Sequence, residues 1–420
     1  MATIQIRNVG PLRDTGTIHL TRIMLLLGPQ GVGKSTLMKI LCFCRWIEKE
    51  VMLSPEKIAY YSRYKRFVKI MQRFHRLDDS FFSSSSEILY EGDCITIQWR
   101  GTKGKENAHI QQKAEFDRQR HNPKLSFLPA ERNLASVVDN IDRSYRGNPA
   151  EDLLFNFILE LTEARKPYNS KRPLPLSIDE DMSYFHSSGR DMIKAKEMNK
   201  SLSAYYASSG IQSAFPIDVM TSYLLSSIGR VPEMTADEIM RRFFSEGVPS
   251  DLREIHEGLS QLKKQYQYSS MQLYIEEPEQ NLYPESQKYL LLNLLRAIYE
   301  AQERETAPST LTITTHSPYL LSVINTQIAI GRAHKHLVGL EEGETKTRQL
   351  AALRELTSLG HYPQIEDYSA YFIGKDGRLK SLIDQEFPMV SGIELDGVSD
   401  WVDEYTNQIY DIIYGEDDEQ

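Results

Sequence analysis

The sequence predicts an α/β fold, and three observations lead there. The run Ile23-Met24-Leu25-Leu26-Leu27 is continuously apolar, as suits a strand buried on both faces of a sheet. It runs directly into Gly28-Pro29-Gln30-Gly31-Val32-Gly33-Lys34-Ser35, a glycine-rich turn followed by a helical pattern. Far downstream, Met271 to Ile275 and Leu311 to Thr314 are short apolar strands that each end in polar, chemically active side chains.

The remaining elements follow in order. Thr3 to Arg7 alternates at period two, Asn8-Val9-Gly10-Pro11 supplies turn chemistry, and Thr17 to Leu20 alternates again. Residues 55 to 77 carry a basic, aromatic helical pattern, and Ser83 to Ser86 reads as an exposed loop. Ile95 to Trp99 and Ala108 to Ala114 form an expected hairpin around the turn at Gly101 to Lys105. Leu125 to Leu128 is a strand closed by Pro129. From 134 to 262 the pattern reads as mostly helical, broken by a proline-rich, charged stretch from Lys166 to Asp181. A long helix is expected to start at Pro284, because a proline at the first helical position gives up an N–H that has no helical partner. Beyond residue 330 strands and helices mix, and the chain ends in an acidic run, Glu416 to Glu419.

Composition bounds the function. Over 420 residues, 49 lysines and arginines face 58 aspartates and glutamates, a formal charge of −9 that argues against indiscriminate coating of DNA. Three cysteines, Cys42, Cys44 and Cys94, are too few for a secreted disulfide framework and lack zinc spacing. The start lacks a secretory pattern and no apolar run is long enough to span a bilayer, so a soluble cytoplasmic protein with no membrane partner is expected.

The glycine-rich turn matches the full G-x-x-x-x-G-K-[ST] pattern. Glycines let the backbone curl until successive N–H groups face a phosphate, and the helix that follows adds its positive end. Gly28, Pro29, Gln30, Gly31, Val32, Gly33, Lys34, Ser35 and Thr36 are therefore the candidate residues for a nucleoside triphosphate. Lys34 would reach the β and γ phosphates and Ser35 the Mg²⁺ ion, and the motif does not separate ATP from GTP. Leu273-Tyr274-Ile275-Glu276-Glu277-Pro278 ends a strand in two carboxylates. Glu276 takes the metal side and Glu277 is the candidate general base for an attacking water. Roughly 35 residues later His316 ends another strand and would sit beside the same phosphate if the strands are neighbours. Lys34 and Glu277 lie about 240 residues apart, a separation that calls for a large insertion between the two motifs.

Taken in order, these motifs resemble the ABC/SMC-like ATPases, and most closely the branch containing RecF-like and OLD-like ATPases. The resemblance rests on Asn8 to Leu12, the loop at 28 to 35, Phe127-Leu128-Pro129-Ala130-Glu131-Arg132, Ala207-Ser208-Ser209-Gly210-Ile211-Gln212, Ile275 to Glu279, and Thr315-His316-Ser317-Pro318; Leu395 to Ser399 resembles the end of this branch. It implies an ABC-type two-lobed head with a mixed β-sheet, a helical insertion and no long coiled coil. Residues 1–133 would form the first lobe, with the phosphate loop and an antiparallel hairpin. Residues 134–262 would be the helical insertion, 263–340 the core of the second lobe, and 341–420 a mixed α/β tail. Ser208, Ser209 and Gly210 are the expected signature, closing over ATP held by a second copy, so that a homodimer or higher oligomer forms through its nucleotide sites. The signature departs from Leu-Ser-Gly-Gly-Gln, and Glu131 and Arg132 stand where a glutamine between the lobes is usual.

The spacing leaves no room for SMC arms, and no Asp-x-Asp follows Glu341-Glu342-Gly343, so no intrinsic nuclease is expected. The primary reading is an ATPase that uses ATP and Mg²⁺ and regulates a separate effector protein, in the manner of relatives in anti-phage defence. Two alternatives stand beside it. One is a RecF-like clamp on DNA, using the basic aromatic stretch Tyr60 to Arg76. The other is an ATP-gated scaffold with negligible turnover.

Overall fold

The computed structural model describes residues 2–104, 106–137, 152–196, 200–232, 264–357, 359–384, 387–392, 404–406 and 408. The expected Leu395 to Ser399 motif, the acidic terminus and the parts of the insertion at 138–151 and 233–263 lie outside them.

From the N-terminus, β1 (Thr3–Val9), β2 (Leu12–Asp14) and β3 (Ile18–His19) fold back on one another. Next, β4 (Ile23–Leu27) leads through the glycine-rich loop into α1 (Lys34–Leu53). The short α2 (Lys57–Tyr61) and α3 (Arg66–His75) carry the basic aromatic stretch. They lead to β5 (Phe82–Glu91), β6 (Ile95–Arg100) and β7 (His109–Gln112), which complete an antiparallel sheet with β1. Ser83 to Ser86 thus lie within the span of a strand, at the register shift between Phe82, opposite Val9, and Glu87, opposite Arg7; Ser83 to Ser85 are exposed, as expected.

A second sheet is the centre of the molecule. It contains β4, β8 (Pro123–Leu128), β13 (Ser270–Glu276), β14 (Thr310–Thr315), β15 (Tyr368–Ile373) and β16 (Leu379–Ser381), in the order β16-β15-β4-β14-β13-β8. Between β8 and β13 the chain forms α4 (Leu153–Ala164), then β9 (Leu174–Leu176), β10 (Asp179–Ser187), β11 (Arg190–Ala195) and β12 (Leu202–Ser203), then α5 (Ser209–Ser227). After β13 come α6 (Pro284–Ala301), α7 (Pro318–Val338) and α8 (Glu344–Leu356). Among the described residues the longest helix is α7, with 21 residues, and no helix is long and apolar enough to cross a membrane.

Strand β4 shows why its residues had to be apolar throughout. Ile23, Leu25 and Leu27 face one hydrophobic cluster, with α5, α6 and α7; Met24 and Leu26 face the other, with α1 and the antiparallel sheet. All five side chains are buried. A strand with helices on one side and a helix and sheet on the other has no face to give to water.

One expectation changes. The described part of the helical insertion contains the antiparallel sheet β12-β11-β10-β9 as well as helices. Its centre is the hairpin of β10 and β11, turned by Ser188 and Gly189 at φ 52° and 76°, the left-handed pair that a tight two-residue hairpin requires. The tail, expected as mixed α/β, has a helix and two strands among its described residues. Its β15 pairs in parallel with β4, Phe372 opposite Leu27, and so borders the phosphate-loop strand.

One ionic cluster lies deep between α1 and the antiparallel sheet. Glu48, 1% exposed, accepts from the backbone N–H of Cys94 at 2.7 Å, from Tyr90 Oη, and from Arg45 at 3.1 Å. Replacing Glu48 with alanine strands those donors in an apolar core. The expected loss is about 3 kcal/mol of unfolding free energy, read by urea denaturation; a loss below about 0.5 kcal/mol would contradict the account.

Candidate functional site

The register of the central sheet assembles the site. β4, β13 and β14 run parallel, with Leu27 opposite Thr315 and Glu276 opposite Thr314. Their C-terminal ends therefore lie side by side, and the next residues along the chain are Gly28, Glu277 and His316. Ligands bind at this edge of open α/β sheets because the strands deliver loops and helix N-termini there.

The loop is glycine-rich for steric reasons that can be named. Gly28 has φ 138°, and a Cβ on it would lie 2.4 Å from the carbonyl oxygen of Ile373 at the end of β15. Gly33 has φ 107°, and its Cβ would lie 2.8 Å from Leu12 Cδ2. Both demand a left-handed backbone and close approach, which only glycine supplies without strain. Lys34 opens α1 and is 6% exposed; its ammonium donates to the carbonyls of Gly28 at 2.8 Å and Pro29 at 2.7 Å. Burial pulls its pKa down to about 8, against the opposing pull of Glu277 and Glu279. Ser35 is half-buried and Thr36 buried beneath the loop.

A bound polyphosphate favours charged lysine and so raises that pKa. Nucleotide binding at pH 8.5 is then expected to take up a proton, up to about one per nucleotide, and to take up almost none at Lys34 near pH 6.5. Titration calorimetry at pH 8.5 in two buffers of different ionisation enthalpy measures it. Equal binding enthalpies in the two buffers would contradict it.

Glu276 is the last residue of β13 and 4% exposed. Its Oε2 accepts from the N–H of Ala130 at 3.1 Å, while its Oε1 is buried without a hydrogen-bond partner. A buried carboxylate oxygen left over in this way fits the outer contact of a hydrated divalent cation. Glu277 follows with φ 44°, an unusual conformation for a non-glycine residue. Its N–H is held by the carbonyl of Thr314 at 3.0 Å. His316 Nε2 stands 3.4 Å from Glu277 Oε1, an ion-pair separation without hydrogen-bond alignment. Proximity to His316 is the leading influence that holds the Glu277 carboxyl below its usual range; Lys34 and Arg132 add to it and burial opposes. Glu277 is thus ionised at neutral pH.

The structure adds three residues to those singled out as catalytic or binding. Arg132, fully buried, donates to the carbonyls of Glu276 at 2.7 Å, Glu277 at 2.8 Å, Ser213 at 2.9 Å and Pro129 at 3.3 Å. Its neighbour Glu131 is exposed. Glu279 accepts from Thr315 Oγ1 at 2.6 Å and from the N–H of His316 at 2.7 Å, and so fixes the histidine's loop. Asn281 donates to Ser213 Oγ at 3.2 Å. The available signal was position: Arg132 closes a strand-end motif, and Glu279 and Asn281 follow the two carboxylates.

Ser208, Ser209 and Gly210 start α5; among the described residues neither serine is hydrogen-bonded to residues 28–36. Ser208 caps the helix through Ile211 N at 3.5 Å, and both serines are exposed. Gly210 packs against the backbone of Asn281, 2.9 Å from where its Cβ would lie. Pro216 within α5 cannot donate to the carbonyl of Gln212, which accepts instead from Ser136 Oγ at 3.4 Å. The basic aromatic stretch is largely committed to contacts within the chain. Lys65 pairs with Glu106, Arg76 with Asp152, and the Arg66 guanidinium lies over the rings of Tyr60 and Tyr64.

A phosphate loop, a strand-end carboxylate pair and a following histidine at one edge of a mixed sheet define a phosphate-loop nucleotide-binding domain. The chain belongs to the family described as "AAA domain, putative AbiEii toxin, Type IV TA system", whose profile matches residues 23–322. No curated protein matched the chain. Among solved structures it is similar to the SMC head domain from Thermotoga maritima, at 10% identity and TM-score 0.33 over 76% of this chain and 90% of that one. It is also similar to an SMC head bound to the C-terminal winged-helix domain of ScpA, at 9% identity and TM-score 0.34 over 76% and 90%. A third likeness is to the recombination mediator protein RecF-ATPrS in the RecFOR pathway, at 11% identity and TM-score 0.29 over 90% and 97%. Likenesses this distant carry no argument about what the chain binds.

Proposed function

We propose that this protein binds ATP with Mg²⁺ on residues 28–36 and hydrolyses it. The observation that carries the reading is the convergence of Lys34, Glu277 and His316 at adjacent strand ends, with Glu277 ionised and 3.4 Å from His316. Glu277 accepts the proton of the attacking water, and His316 orients that carboxylate. Lys34 holds the β and γ phosphates. Ser35 and Glu276 hold Mg²⁺, which would neutralise charge on the transferring phosphoryl group. The unpartnered Glu276 Oε1 supports the metal assignment.

In this reading Ser208, Ser209 and Gly210 serve a second copy. Both serines are exposed at a helix N-terminus and uncommitted to the loop of their own chain, as donors to another molecule's γ-phosphate must be. ATP would then bridge two subunits and favour the closed oligomer by its contacts with both. Membership in the OLD-like branch, control of a separate effector and a role in anti-phage defence extend the proposal.

Lys34→Ala tests the assignment. The variant is expected to lose ATP binding and hydrolysis, measured by fluorescent-nucleotide titration and phosphate release. Wild-type turnover in the variant would overturn the assignment. Size measurements with and without ATP, on wild type and on a Ser209→Glu variant, test the composite site separately. ATP-dependent assembly in wild type that Ser209→Glu abolishes would support it, and a monomer in all conditions would sink it.

A further inference from the structure

Between α1, α2, α3, α4 and β8 lies a cavity of about 570 Å³, well within the range of small-molecule sites. It is distinct from the phosphate loop: no residue from 28 to 36 and neither strand-end glutamate lines it. The basic aromatic stretch, whose role the ATP chemistry does not explain, supplies much of its wall.

The wall is aromatic and mutually braced. Trp46 and Tyr61 meet edge to face at 5.8 Å, as do Tyr60 and Tyr61 at 5.1 Å, while Phe74 stands against His75 at 5.0 Å. Rings held by other rings keep their faces in place for a flat ligand, and stacking of this kind adds to simple burial of area.

Two polar groups on the wall stand out. Lys49 is half-buried and lies over the Tyr268 ring at 5.4 Å; burial, with Lys124, lowers its pKa to about 8, against the opposing pull of Glu50 and Glu160. His75 is 1% exposed, and its Nδ1 has no hydrogen-bond partner. Burial lowers the His75 pKa to about 3, so the ring is neutral. A buried ring nitrogen without a partner is costly, and so is the desolvation of a cation, which a further negative group would relieve. Glu160 also lines the cavity, but one of its oxygens already accepts from Ser126 at 2.6 Å.

We infer that this cavity is a second ligand site, built for a planar aromatic anion whose ring stacks among Trp46, Tyr61 and Phe74 and whose negative group meets Lys49. The inference does not depend on ATP hydrolysis. The wall does, however, share α1 with Lys34, and its Phe127 stacks on Tyr274, two residues before Glu276, at 6.4 Å.

The test uses two fluorescent probes that differ by one charge. One is 8-anilinonaphthalene-1-sulfonate; the other is its uncharged analogue, N-phenyl-1-naphthylamine. Wild type is expected to bind the sulfonate saturably at one site, with affinity unchanged by saturating Mg-ATP. Lys49→Met is expected to weaken the sulfonate about tenfold or more and to leave the uncharged probe unaffected. Ile70→Trp, which fills the cavity from α3, should remove both. Displacement of the sulfonate by ATP would place it at the phosphate loop and overturn the inference. Equal affinity in wild type and Lys49→Met would do the same, as would binding without saturation. Near-ultraviolet circular dichroism establishes that each variant is folded, and Lys49→Met decides the matter alone if Ile70→Trp is not.

Discussion

Glu277→Gln is expected to lower the rate of ATP hydrolysis by about 10²–10⁴-fold and to leave ATP binding in place. The substitution keeps the side chain's size and removes its ability to accept a proton. Lys34 and the loop glycines, which do the binding, are untouched. Phosphate release measures the first effect and fluorescent-nucleotide titration the second. If the proposed composite site is right, the variant also remains in its ATP-bound oligomer after wild type has left it. An unchanged turnover would remove Glu277 as the base and strengthen the scaffold alternative. The partner histidine gives a companion result. Proximity to His316 is what chiefly lowers the Glu277 carboxyl, so in His316→Ala its pKa rises towards the ordinary carboxylate value. The sign follows: the base is lost on acidification at a higher pH, and the acid limb of the pH–rate profile moves up.

Arg132→Lys is the second large effect. The arginine makes hydrogen bonds to four backbone carbonyls on the strand-end turn, the carboxylate loop and α5, with no exposure to water. A guanidinium can do this because its donors fan out in a rigid plane. Lysine's donors radiate from one atom and cannot reach all of these segments. Carbonyls left bare in the interior are expected to cost about 3 kcal/mol of stability. Turnover should fall as well, at temperatures where the variant is fully folded, because Glu277 loses the anchor that holds its backbone at φ 44°. ATP affinity should change little. Denaturation, phosphate release and nucleotide titration measured together decide it. Wild-type stability with wild-type turnover would mean that the clamp has no role.

Much of the centre of the molecule was legible in the residues. The apolar run of β4, the G-x-x-x-x-G-K-S loop and the proline that opens α6 are local patterns, each with a local physical cause. The candidate residues Lys34, Glu276, Glu277 and His316 could be named because each follows a strand pattern. The small sheet β9–β12 is not legible in this way. Its hairpin turn, Ser188-Gly189, is a signal only two residues long, and β9 and the start of β10 lie in a proline-rich, charged stretch that reads as a break between helices. The serines of β5 read as a loop because they fall at a register shift, where no residue of β1 or β6 pairs with them.

By itself, the amino-acid order determined which residues curl around a phosphate, which segments must be buried on both faces, and which strand ends carry reactive groups. These are short-range matters of glycine sterics, side-chain periodicity and helix capping. Only the tertiary structure decided that β14 lies between β4 and β13 in a register that brings Glu277 and His316 together. It also decided that the tail strand β15 borders the loop and that Arg132 binds three segments at once. Those outcomes depend on contacts between residues hundreds of positions apart, formed by backbone groups that every residue shares, and such groups leave no mark on the sequence.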